Sequence, residues 1–290
     1  MKLFNHPLIR LLFALCIVIV PFVLLQAMIS GELGILLGIL VSFIAYIFYV
    51  KFWEKRPVYE LRITNKSDSV IYKYFGLNSA FSEFVIGLLM GTILICFLVG
   101  LLILLGQYHI VINKIKVNNV IPILINIGFY AGFVEELIFR GILFRLFEEW
   151  LGSWVAIFIS GLVFGFAHYT NPNATIFTSI AIALEAGILL SAIFIITRRL
   201  WMVIGFHFAW NVVQGLVFSI PVSGHSIEGI FNINLTSNSN VWLSGGDFGL
   251  EASVFTLILL TSLGLAIVYS LEMKRKVFGI NIMRIIFRKL

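Results

Sequence analysis

Three short polar groups stand inside otherwise apolar sequence, and their residue types are those of acid–base chemistry. They are Glu135, Glu136 and Arg140 in EELIFR, His168 at the end of FGFAH, and His207 with Asn211 in HFAWN. Charged side chains at membrane depth are costly unless paired or wetted, so each group calls for a physical reason to be there. The spacing is helical throughout. Glu136 and Arg140 are i,i+4, one above the other on one face, with the carboxylate N-terminal to the cation as a good ion pair requires. Glu135 points about 100° away round the helix and has no such partner. His207 and Asn211 are also i,i+4 and aim at one point. Phe164 lies one turn before His168 on the same face and can fix its ring by packing. A carboxylate, two imidazoles and an amide at helical spacing would be a costly way merely to glue helices together.

The elements that must position these residues are membrane helices. Of 290 residues, 60% are apolar, only 12% are charged and 28 are Phe, a composition that no water-facing surface of this size tolerates. Spans of about 20 apolar residues cross a bilayer core, and eight are predicted, at 8–29, 32–50, 82–106, 119–147, 152–169, 174–196, 201–220 and 252–272. The fold class is therefore all-α and polytopic. Residues 1–118 form an N-terminal set of helices with a basic loop, and 119–290 form the core that carries the polar groups, with the C-terminal helix. The first apolar run is followed at once by a second with no small-residue cleavage site between them, so it reads as a retained helix. Cys16 and Cys96 sit far apart in apolar runs, with neither disulfide nor metal spacing. The stretch from Lys51 to Ala80 mixes basic and aromatic residues, as an interfacial segment or a plain basic loop would.

With the N-terminus inside, 18 of the 20 Lys and Arg fall on the cytoplasmic side or in the helix ends leading to it; Lys114 and Lys116 are the exceptions. The 31-residue loop from Pro221 to Glu251 has none. Both termini are thus expected in the cytoplasm of a multi-pass cell-membrane protein. The net charge of +6 describes topology and gives no reason to invoke nucleic acid. Asp247 and Glu251 in SGGDFGLEAS fall beside the start of the last helix, where the macrodipole favours carboxylates.

Counting brings two groups together. The loop Leu151-Gly152-Ser153 makes the fourth and fifth spans antiparallel neighbours. Glu135 lies 16 residues before Leu151 and His168 lies 17 after it, so both stand about 25 Å from the turn and face each other. His207, eight residues past Arg199, falls only about 12 Å from its own loop. A helix break at Pro172 in YTNPNAT would correct that level. The residues by themselves leave three classes open: an intramembrane hydrolase, a proton-coupled transporter or channel that uses the same groups as a relay, and a non-catalytic membrane scaffold. The paired inverted repeats of a transporter are not evident.

EELIFR, FGFAH and HFAWN resemble, in order, the Glu-Glu-x-x-x-Arg, Phe-x-x-x-His and His-x-x-x-Asn motifs of the CPBP family of intramembrane proteases. That family includes the type II CAAX prenyl endopeptidase and the bacterial Abi proteins. The likeness covers about residues 119–255, where TRRLWMVIGFHFAWN and LSGGDFGLEAS are similar to bacterial members. It implies an eight-helix fold with a catalytic cavity inside the membrane and hydrolysis of a peptide bond in a peptide or membrane-protein substrate. It further implies that Glu135 activates water with His168 assisting, that His207 and Asn211 stabilise the oxyanion, and that Glu136 and Arg140 complete the first motif. Two His and a Glu are also a plausible zinc set, but neither His-Glu-x-x-His nor another compact ligand motif occurs. A mechanism without a cofactor is expected, with zinc as the alternative.

Overall fold

The structure is a computed structural model and describes residues 6–63, 79–112 and 120–273. Lys66 and Lys73 of the basic stretch, Lys114, Lys116, the expected boundary at 118 and the cations from Lys274 onward lie outside the described residues. Among the described residues, apart from single-turn segments, eight helices follow one another. They are α1 (Pro7–Met28), α2 (Glu32–Phe48, continued by a π-turn at Tyr49–Trp53), α3 (Ala80–Leu104) and α4 (Val120–Leu151), then α5 (Ser153–Ala167), α6 (Ile176–Thr197), α7 (Trp201–Val217) and α8 (Val254–Met273). Seven are long and apolar enough to cross a bilayer; α7, at 17 residues, is the short one. The chain is an all-α, multi-pass membrane protein.

Local chemistry sets the helix starts. Ser79 and Ser82 cap α3 reciprocally, and Thr175 with Thr178 does the same for α6, each pair satisfying amides that the first turn leaves unpaired. Helix α6 is the central element: 72% of its spanning window is buried inside the protein, against 17–39% for the other spans. It packs on α5 and α8, while α7 packs on α3 and α4, and the α1–α2 hairpin leans on α4.

Lipid tails give helices no hydrophobic reason to associate, so backbone approach at small residues matters. A Cβ added at Gly87 of α3 would lie 2.0 Å from the Met202 carbonyl oxygen, and one at Gly205 of α7 would lie 2.1 Å from the Phe84 carbonyl oxygen. Helices α5 and α6 meet in the same way, with Gly187 against Gly161 at 2.6 Å from the missing Cβ. Both contacts involve Gly-x-x-x-Gly steps, Gly87 to Gly91 and Gly161 to Gly165, a signal legible in the sequence.

One end of the bundle gathers the charges. Glu54 accepts hydrogen bonds from Arg10 at 2.6 Å, Arg56 at 2.7 Å, Tyr49 at 3.0 Å and Arg145 at 3.0 Å, tying α1, the end of α2 and α4 together. Arg198 pairs with Glu148, and the Ser153 hydroxyl donates to the same carboxylate at 2.5 Å. The first part of the basic stretch is therefore folded back onto the bundle, with Glu60 only 4% exposed. At the other end β1 (Tyr108–Ile112) pairs antiparallel with β2 (Phe231–Leu235), Tyr108 opposite Leu235 and Ile112 opposite Phe231. This small sheet, absent from the sequence expectation, anchors the long loop before α8. The Tyr108 hydroxyl adds to it by donating to the Ser244 carbonyl at 2.5 Å.

Candidate active site

The first motif sits on a helix that is not α-helical through its middle. Helix α4 runs as π-turns over Leu124–Glu135 and Leu137–Phe144. Such turns are rare and are found frequently at functional sites. They also settle the level of His207. Arg198 and Glu148 are paired, so they mark one height. His207 lies nine residues beyond Arg198, about 14 Å of α-helix, whereas Glu136 lies twelve before Glu148, about 18 Å if α4 were α-helical. Wider turns advance less per residue and close that gap. The helix break expected at Pro172 does not occur inside α5 or α6. Pro172 lies between the 3₁₀ turn His168–Thr170 and the start of α6 at Ile176.

The carboxylate–imidazole contact that results joins Glu136 to His207, at 2.8 Å between Oε1 and Nδ1, where the hairpin count pairs Glu135 with His168. The same Glu136 oxygen accepts from Arg140 Nη1 at 2.9 Å, and both members of this ion pair are fully buried. Arg140 also donates to the Ala186 carbonyl at 3.0 Å, and its guanidinium lies 4.8 Å from the centre of the Phe164 ring. Glu136 therefore serves a cation and a histidine together. With Nδ1 occupied, His207 has Nε2 left for the cavity that it lines.

Phe164 is the hub of the second and third motifs. Its ring meets His168 at 4.9 Å and His207 at 6.0 Å, both edge to face, which fixes the two imidazoles by packing. His168 Nδ1 lies 2.8 Å from the Phe164 carbonyl oxygen, so that nitrogen carries the proton when the ring is neutral and Nε2 is the acceptor. Asn211 donates one amide hydrogen to the Ile127 carbonyl of the π-turn region at 3.0 Å and retains a second. Glu135 is half-buried, and its Oε2 is buried without a hydrogen-bond partner. It lies close enough to His207 and Arg140 to act on both electrostatically.

His168, His207 and Asn211 line one cavity of about 40 Å³, room for two or three waters. Glu135 and Glu136 are not in its wall. Two other carboxylates are: Glu185 of α6, 1% exposed, and Glu251, 6% exposed. The sequence reading passed over Glu185, although a lone glutamate in SIAIALEAGILL satisfies the same criterion that singled out EELIFR. Glu251, read there as a helix-terminus charge, is instead carried inward by the glycine-rich turn. Gly245 and Gly249 have φ of +84° and +109°, and a Cβ at Gly249 would lie 2.0 Å from the Pro221 carbonyl oxygen. Only glycine closes this turn, and the turn sets Leu250–Ala252 against the cavity. Gln214 holds Glu251 Oε2 at 2.7 Å, and Ser223 lies 3.5 Å from Oε1. Burial pushes the Glu251 carboxyl above the usual range, against the opposing pull of the Gln214 bond. Among the described residues, no three His, Cys, Asp or Glu side chains converge as a metal set.

The acid–base groups thus line a small chamber among apolar helices. Residues 117–213, about a third of the chain and the part that holds all three motifs, match the family described as Type II CAAX prenyl endopeptidase Rce1-like. The match supports the resemblance to the CPBP family over that segment. No curated protein and no solved structure matches it.

Proposed function

We propose that this chain is an intramembrane endopeptidase that hydrolyses a peptide bond with water activated by Glu135. The observation that carries the reading is the chamber of His168, His207 and Asn211, with a buried, unpartnered Glu135 oxygen on a side chain that reaches His207 electrostatically. A carboxylate oxygen in such a place has no protein donor competing for it, so a water can occupy it, as a general base requires. His168 Nε2 holds the water or shares its proton. His207 Nε2 and the second Asn211 amide hydrogen supply donors to the tetrahedral oxyanion, each worth about 3 kcal/mol in protease sites. For this His207 must carry a proton on Nε2 in addition to the Nδ1 hydrogen that it donates to Glu136.

A metal-free reaction is part of the proposal. A zinc set drawn from His168, His207 and Glu136 does not suit these side chains, because Glu136 faces the Nδ1 side of His207 and is already neutralised by Arg140. The substrate is a peptide or a membrane protein reached from within or beside the bilayer. Cleavage of a peptide library by purified protein in detergent, wild type beside Glu135→Gln, tests the reading. No cleavage by the wild type, or equal cleavage by both, overturns it.

A further inference from the structure

We infer that Glu185 and Glu251 form a subsite for a primary ammonium group, so that the enzyme selects a substrate with a lysine-type cation next to the scissile bond. The inference rests on the endopeptidase reading only for the word substrate; the binding site stands on its own geometry. Both carboxylates line the cavity that His168, His207 and Asn211 also line, so a group bound between them lies beside the reacting atoms. Glu185 is 1% exposed and its Oε2 has no hydrogen-bond partner. A carboxylate oxygen left in that state is costly, and a ligand that donates to it removes the cost.

Among the described residues, no side chain donates to that oxygen. The loop from Pro221 to Glu251 contains no Lys or Arg. Arg140 spends its guanidinium on Glu136, the Ala186 carbonyl and the Phe164 ring. Glu251 accepts from Gln214 and from the backbone N–H groups of Ser223 and Glu251 itself, none of which carries a charge. The walls are otherwise apolar, with Ile182, Leu189, Leu190 and Leu260 fit to cover a methylene stem and Trp210 offering an aromatic face for a cation. A cavity of about 40 Å³ suits a compact ammonium better than a planar guanidinium.

The probe is n-butylammonium, with n-butanol as its neutral counterpart, on the full-length protein in detergent. Butylammonium should raise the melting temperature and compete with peptide cleavage, and butanol should do neither. Glu185→Gln and Glu251→Gln should each weaken the ammonium effect by at least tenfold in concentration. In the peptide library, lysine beside the cleaved bond should exceed norleucine at least tenfold in kcat/KM and should also exceed arginine. That ratio should collapse in Glu185→Gln. Peptides with an acetylated N-terminus and an internal lysine, set against peptides with a free N-terminus and norleucine, separate a side-chain ammonium from an α-ammonium. Equal responses of the wild type to butylammonium and butanol overturn the subsite without any variant having to fold. Ammonium binding with no cleavage of any peptide keeps the subsite and sinks the endopeptidase instead.

Discussion

The two adjacent glutamates should respond to the same substitution in opposite ways. Glu136 Oε1 holds Arg140 at 2.9 Å and His207 at 2.8 Å, and neither Glu136 nor Arg140 is more than 1% exposed. Removing one partner of a buried ion pair costs about 3–5 kcal/mol in soluble-protein terms. Glutamine keeps an acceptor oxygen, so Glu136→Gln belongs near the low end, about 3 kcal/mol. At roughly 2–4 °C per kcal/mol for a chain of this size, its melting temperature in detergent should fall by on the order of 10 °C. Because His207 loses the carboxylate that orients it, turnover should drop about 10- to 100-fold, the usual effect of removing such a supporting partner.

Glu135→Gln removes a charge whose Oε2 had no hydrogen-bond partner to lose. Its stability should stay within about 0.5 kcal/mol of wild type, a shift of a degree or two. Turnover should fall by at least 10²- to 10⁴-fold, the contribution of a positioned general base. Differential scanning fluorimetry and cleavage of a quenched peptide, run on both variants, make the comparison. A Glu135→Gln protein that cleaves at near wild-type rate ends the assignment of the base. A Glu136→Gln protein that melts with the wild type ends the claim that the Glu136 carboxylate, through Arg140 within α4 and His207 of α7, stabilises the fold.

Activity should survive exhaustive treatment with EDTA or phenanthroline; loss with rescue by zinc would make His168 and His207 ligands. A membrane-impermeant thiol reagent should label Ser239→Cys from outside intact cells if the loop from Pro221 to Glu251 is extracytoplasmic, and protection of that position reverses the topology. For Glu54, burial pushes the carboxyl up, but Arg145, Arg10 and Arg56 outweigh it and hold it down to about 2 from an ordinary 4.5. A depressed value means the stabilisation is complete above pH 4.5 and is lost as pH falls toward 2, so the acid limb of the melting profile should flatten in Glu54→Gln. Gly87→Leu should destabilise by about 1–3 kcal/mol through overpacking against Met202, whereas Gly100→Leu, with nothing within 4 Å, should leave melting unchanged.

Seven of the eight expected spans were legible because a bilayer demands a long apolar run for each crossing, the expected 201–220 being a 17-residue helix instead, and the α4–α5 hairpin was legible because three residues leave no other connection. The level of His207 was not. The count assumed a rise of about 1.5 Å at every residue, and the π-turns of α4 leave no mark in composition or periodicity. The strands YHIVI and FNINL were illegible for a related reason: each is five residues long and pairs with a partner more than a hundred positions away.

Glu185 and Glu251 show a different kind of miss, since both residues were in plain view. The absence of Lys and Arg between Pro221 and Glu251 has a topological meaning, but it has an electrostatic one as well. A segment without fixed cations, closing over two buried carboxylates, leaves them without neutralisation from the chain that covers them. An extracytoplasmic placement of that loop would account for its missing cations; it would not account for the carboxylates retained beneath it. Acids kept where every nearby arginine is already committed are better explained by a cation that arrives with the substrate than by helix association, which the glycine contacts already supply.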